Sequence, residues 1–276
     1  MTHTDTWPGK PATRLVFSIS ALILVGIIAV PLSFRSVELT RIEQVRSVTD
    51  LQRIYAGFDY SLASVRDGAP VPRLSISDVP DGWDRGLDPA ARKIVFFESV
   101  LPLVLIVNEH IREDRKRLLT LDSQRRDGKT WHAVDRRWLT GLARRYGVAV
   151  SPDAIADSGA KRAIATLLRR MAPIPPSLAL AQAAVESAYG TSRFAIAGNA
   201  LFGQWTTGAG LKPQEQRSAK ARFQVAAFGS PLKSVEAYAR NLNTHRAYRK
   251  FRAARQAQSL NGADPAGLKL ISTLRV

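Results

Sequence analysis

Apolar residues follow three different rhythms along this chain. Between 15 and 34 they run without a charged side chain, bracketed by Arg14 and Arg35. That length of uncharged chain crosses the hydrocarbon core of a bilayer as a helix. Residues 14–35 are therefore predicted to be a transmembrane anchor, with residues 1–13 as a cytoplasmic tail. Lys10 and Arg14 on the near side put the N-terminus in the cytoplasm. A cleaved leader is the rival reading, but the run is long for one and no Ala-x-Ala site follows it. In the second rhythm Ile94, Phe97, Val100, Leu101, Val104, Val107 and Ile111 recur at helical spacing. They predict a helix over 90–121, broken or kinked at Pro102. Further helices are predicted over 131–146, 157–170 and 231–256, with Ser234 a candidate N-cap. The third rhythm, over 198–228, has glycines at 198, 203, 208 and 210 and short apolar pieces at 200–202 and 223–228, which predict a small β-hairpin. Residues 36–57 read as a helical stalk, and 66–90, rich in proline and glycine, as a linker or an extended wrapping segment. The division is then 36–90 stalk and linker, 91–170 helical part of the body, and 171–276 core.

The stretch from Pro175 to Gly190 stands apart. Pro175 and Pro176 suit a first helical turn and Gly190 suits a stop. Between them Leu178, Leu180, Ala181, Ala183, Ala184 and Val185 cover the helix all round, the pattern of a buried helix. Glu186 is its one carboxylate. Burial disfavours the charged form of a carboxyl and raises its pKa, which a general acid needs near neutral pH. The plain alternative is a glutamate pointing outward from a frayed helix end.

Charge narrows the partners. The net charge is +17. Behind a membrane span, that excess suits anionic headgroups or acidic cell-wall components better than nucleic acid. His245 to Arg255 interleaves aromatic and basic residues, which can be a nucleic-acid footprint. A solvated or membrane-facing helix is the expectation here, with no nucleic-acid partner. Arg112 to Arg117 read as a solvated, internally paired face. There is no cysteine, and His3, His110, His132 and His245 show no ligand spacing, so neither a metal nor a cofactor is predicted.

Downstream of Glu186, Asn199-Ala-Leu-Phe-Gly-Gln-Trp205 combines amides, a glycine and an aromatic. Amide hydrogen bonds and aromatic faces are how proteins hold sugars. Tyr238 is predicted to face inward with Leu242. Asn199 as a turn residue, and Trp205 and Tyr238 as core aromatics, are the alternatives. Together, Ala181-Gln-Ala-Ala-Val-Glu-Ser-Ala-Tyr-Gly190, Thr191-Ser-Arg-Phe-Ala195 and Asn199-Ala-Leu-Phe-Gly203 resemble the glucosaminidase domain of glycoside hydrolase family 73, and within it the Bax-type bacterial proteins. Leu101 to Arg115 and Ser234 to Tyr248 share the resemblance, which extends over about 75–270.

That resemblance implies a mainly α, lysozyme-like α+β domain with a small β-hairpin lobe. It implies cleavage of peptidoglycan glycan strands at the β-1,4 bond after N-acetylglucosamine, by a body held in the periplasm on an inner-membrane anchor. Glu186 matches the catalytic acid and Tyr238 a tyrosine lining the same cleft. Gln182, Asn199, Phe202, Gly203, Gln204 and Trp205 fall at substrate-groove positions. Two departures stand out. Tyr189 replaces a tryptophan, and Gln224 stands where Bax-type members tend to carry a hairpin glutamate. Glu215 is the only other carboxylate between Glu186 and Glu236. Hydrolysis would then proceed either with the substrate's own N-acetyl group as nucleophile or with Glu215 activating water. A lytic transglycosylase and a weakly active, membrane-anchored wall-binding module are the competing expectations. The family usually continues past 268–271 into one more helix.

Overall fold

The computed structural model describes residues 41–149, 158–208, 210–212, 224–260 and 266–274. The predicted tail and membrane span lie outside them, as does Glu215. Among the described residues no helix is long and apolar enough to cross a membrane. The described body is mainly helical, with one small antiparallel sheet and one parallel strand pair.

Its axis is α3 (Pro89–Arg126). Asp88 caps this helix by accepting from the N–H groups of Ala90 and Ala91, and Pro89 occupies the first turn, where a missing N–H is harmless. The expected interruption at Pro102 does not occur: α3 passes through it as one helix. A substitute donor explains this. Pro102 cannot donate to the carbonyl of Glu98, four residues earlier. The buried Tyr60 hydroxyl donates to that carbonyl instead, at 2.9 Å. Tyr55 stands edge-on to Tyr60 at 5.4 Å and donates to Ser99 Oγ at 2.8 Å. Tyr60→Phe is expected to cost about 1–3 kcal/mol, the penalty for stranding a buried carbonyl. With Pro102→Ala, residue 102 regains its N–H, and the same substitution should cost under about 1 kcal/mol. Urea melts of the four proteins check this, and equal losses in both backgrounds would remove the explanation.

These contacts tie 41–90, read as stalk and linker, into the body, with 36–40 outside the described residues. α1 (Val48–Gly57) and α2 (Leu62–Arg66) each start at a serine cap, Ser47 and Ser61. β1 (Arg41–Glu43) pairs in parallel with β2 (Leu74–Ile76). Leu51, Tyr55, Val71, Leu74 and Trp83 are buried in the same core as Phe96 and Leu103 of α3. The proline-rich stretch wraps the body, the second of its two predicted forms. Its apolar residues are interior because α3 offers them a non-local surface.

α6 (Pro176–Glu186) and α8 (Pro231–Thr244) pack on α3 in this core. A second core at the far end of α3 joins Leu118 and Leu121 to α4 (Ala133–Arg145) and α5 (Ser158–Arg170), close to the predicted helices. The single helix predicted over 231–256 is two. His245 is extended (φ −66°, ψ 140°), its Nδ1 accepts from the Ala247 N–H, and α9 (Arg249–Leu260) follows. Ser230 caps α8, not Ser234. Ser234 is fully buried inside the helix and accepts from the Leu201 N–H at 3.0 Å. α10 (Gly267–Leu270) packs against α6.

Part of the charge expected at the surface is internal. Arg255, predicted on a solvated helix, is 1% exposed. It donates to the carbonyls of Arg170, Ala172 and Pro173 and to Asn243 Oδ1, at 2.7–3.3 Å. Burial lowers its pKa to about 10. Arg252 reaches the carbonyls of Leu242 and His245 at the end of α8, and Arg115 those of Leu168 and Met171 at the end of α5. Arg170 does the same for Tyr146 and Gly147 past α4. Each cation sits where helix carbonyls lack intrahelical donors. The 112–117 run pairs with α4 instead of within itself, Arg117 with Asp135 at 3.0 Å and Asp114 with Arg145 at 3.1 Å.

Candidate active site

α6 ends at Glu186 but is not buried all round as its apolar run predicts. Leu178, Ala179, Leu180, Ala183 and Ala184 are buried, while Ala181, Val185 and Glu186 are exposed. The open side carries Gln182 and Glu186. A Cβ on Gly203 would stand 3.3 Å from Glu186 Oε2, so the backbone of the 199–205 loop lies directly against the carboxyl. Glu186 is reachable from solvent, yet the groups packed beside it displace enough water for burial to raise its pKa. Among the described residues no second carboxylate acts on it.

The chain leaves Glu186 through a strained turn. Ala188, Tyr189 and Gly190 have left-handed φ of 50°, 54° and 82°. Ser187, fully buried, donates to the Ala183 carbonyl at 2.6 Å and accepts from the Gly190 N–H at 2.9 Å. Trp83 Nε1 donates to the Tyr189 carbonyl at 2.8 Å. A Cβ on Gly190 would be 2.6 Å from that same nitrogen, so space as well as φ demands glycine. The Tyr189 ring stands edge-on to Phe96 and Phe97. The residue that replaces the expected tryptophan thus packs the outer side of this turn.

Phe202 and Tyr238 stack with centroids 3.9 Å apart and planes 6° from parallel. The Tyr238 hydroxyl donates to Gln182 Oε1. Gln182 lies one helical turn before Glu186 on the same face. Burial, reinforced by Tyr248 and Glu186, pushes the Tyr238 phenol far above its ordinary value. The structure therefore brings together Glu186, Gln182, Phe202, Gly203 and Tyr238.

The other predicted positions behave differently. Asn199 has its side chain committed within the fold. It is the left-handed cap of α7 (Arg193–Gly198), and its buried amide is held by the Val79 N–H, Asp78 Oδ1 and the Phe228 carbonyl, each at 3.1 Å. The turn-residue alternative holds for it. Trp205 is the reverse case, 63% exposed and so not core filling. Gln204 Oε1 is buried with no partner among the described residues. Trp205 opens β3 (Trp205–Thr206), which with β4 (Gly210–Leu211) flanks β5 (Gln224–Ala226) in antiparallel pairing. The predicted lobe is present. Its first strand lies at 205–206 instead of 200–202, because Leu201 and Phe202 are drawn into the core. Gln224, paired with Thr206, puts a neutral amide on the central strand.

Residues 162–268, which hold this whole cluster, match the family model described as mannosyl-glycoprotein endo-beta-N-acetylglucosaminidase. Over these residues the chain is similar to glucosaminidase domains. It is also 36% identical over 169 residues to Protein bax of Escherichia coli (strain K12), a match covering 59% of this chain and 55% of that protein. The chain thus spans about half the length of the curated relative it matches. No solved structure matches it.

Within the matched residues, Tyr248 is a cluster member to which sequence reasoning gave no role. It is half-buried, burial and then Glu186 raise its phenol pKa, and it acts in turn on Tyr238. Its signal was membership of the Ser234 to Tyr248 segment. Trp83 and Asp78 gave no local signal, because they come from the wrapping segment outside residues 162–268. An open hollow along α3, lined by Arg112, Lys116, Leu119 and Ser123, shares no residue with the cluster.

Proposed function

We propose that this protein is a peptidoglycan hydrolase that cleaves the β-1,4 bond after N-acetylglucosamine, with Glu186 as general acid. The observation that carries this reading is the approach of Gly203 to Glu186 Oε2. Two distant motifs converge there, and the absent side chain leaves room for a sugar oxygen beside a carboxyl whose pKa burial has raised. The exposed Trp205 indole offers a face for the apolar side of a sugar ring. The helical body with a small sheet fits a lysozyme-like fold. Residues 171–276 supply the catalytic core and 91–170 its helical support, with 14–35 as an inner-membrane anchor and the body in the periplasm.

Glu186 gives its proton to the glycosidic oxygen as the C1–O bond breaks, and the N-acetyl carbonyl oxygen of the same sugar bonds to C1. Water then attacks C1, that bond breaks, and the Glu186 carboxylate takes the proton from the water. One carboxylate suffices. This route is favoured over a two-carboxylate one by Gln224 on the hairpin and by the lack of any carboxylate acting on Glu186 among the described residues.

The test is mass spectrometry of fragments released from purified peptidoglycan by the full chain in detergent. Reducing N-acetylglucosamine ends are expected. Anhydro-muramyl ends would reassign the protein to the lytic transglycosylases. Sedimentation with the wall and no fragments would make it a binding module.

A further inference from the structure

We infer that Tyr238 acts on the glycan through Gln182, whose side-chain NH2 holds the carbonyl oxygen of the substrate's N-acetyl arm beside Glu186. The inference rests on the hydrolase reading above and changes what Tyr238 does within it. A phenol has one proton to donate. That of Tyr238 goes to Gln182 Oε1, and the ring is 5% exposed beneath Phe202, so it has no donor left for a sugar. Gln182 is half-exposed, with Glu186 one turn further along the same face of α6. A free glutamine amide turns over readily and offers a cleft either its oxygen or its nitrogen. The Tyr238 hydrogen bond selects one orientation. With Oε1 held inward, the planar amide turns Nε2 outward with two N–H donors, and these have no partner among the described residues. The group they suit is an acceptor oxygen, and the acetamido carbonyl is the one that every N-acetylated sugar carries. Held there, that oxygen is in place to attack C1. The substrate class is thus the 2-acetamido sugar, with Gln182 as the contact and Tyr238 as its positioning residue.

The experiment measures binding of tetra-N-acetylchitotetraose by calorimetry to the full chain carrying Glu186→Gln, so that no turnover intervenes. Tyr238→Phe and Gln182→Met are each expected to weaken binding about tenfold, and the double variant no more than either. Gln182→Glu still accepts from Tyr238 but has no N–H, and it should weaken binding as much as Gln182→Met. With Glu186 intact, the same variants should lose kcat as well as affinity, a split that a merely structural role would not give. If Tyr238→Phe fails to fold, the two Gln182 variants at their half-exposed position carry the test. Losses that multiply to about a hundredfold in the double variant, or Gln182→Glu binding like its parent, would overturn the inference alone. A wild type that neither binds nor cuts glycan would overturn the hydrolase reading and this inference with it.

Discussion

Glu186→Gln is expected to lower fragment release from purified peptidoglycan by about a thousandfold, the scale of losing a positioned general acid. Glutamine keeps the shape of the side chain against Gly203 and removes only the proton to be delivered. The folded protein should not suffer. Burial raises the Glu186 pKa, so the fold disfavours its charged form, and the stability linked to its protonation is lost as pH rises through the folded value. At neutral pH a neutral glutamine should therefore melt at the wild-type temperature or above it. The same shift sets the pH dependence. Activity requires the protonated acid, so it should fall as pH rises through the raised pKa, above the ordinary glutamate value of about 4.3. A kcat profile that falls within the ordinary carboxylate range, or a Glu186→Gln protein that still releases fragments, would remove Glu186 from the acid role.

The parts of this site legible in the sequence are those whose cause is local. The prolines and the apolar run mark α6, and the Asn199 to Trp205 segment announces a loop with aromatic and amide groups. Spacing says nothing of which of those groups face the cleft. Asn199 and Trp205 read alike in sequence, yet one is clamped by Asp78, Val79 and Phe228 and the other is bare. The difference lies in partners more than a hundred residues away for Asp78 and Val79, which no local pattern records. The wrapping segment shows the same limit. Proline and glycine between 66 and 90 describe irregular backbone correctly, but its burial depends on α3. Tyr60 is legible as a core residue only once Glu98 is known to have a carbonyl that Pro102 cannot satisfy. Counting arginines likewise finds net charge but cannot find carbonyls, so it places Arg255 at the surface when helix ends hold it inside.

Arg255→Met is expected to be among the most damaging substitutions outside the cleft. The segment that enters α6 belongs to no helix or strand, and buried polar side chains secure it. Asn108 donates to the Ile174 carbonyl and accepts from its N–H, both at 2.7 Å. Asn243 donates to the Ala172 carbonyl, and Arg255 spans the carbonyls of Arg170, Ala172 and Pro173. The charge of Arg255 is itself a burden. Its pKa of about 10 in the fold means that any stability gained from burying the neutral form is gone once pH falls below that value. At neutral pH its hydrogen bonds must outweigh the burial of a cation, so their loss should dominate. Methionine fills similar space but strands the Arg170 and Pro173 carbonyls and Asn243 Oδ1, for a loss of about 3 kcal/mol. In a chain of this size that is a fall of about 6–12 °C in melting temperature. Arg255→Lys keeps the charge but not the fork of donors, and should recover only part of the loss. Because α6 carries both Gln182 and Glu186, glycan binding by Arg255→Met should weaken even below its melting point. A variant that melts and binds like the wild type would show that the other contacts of α6 hold it without this arginine.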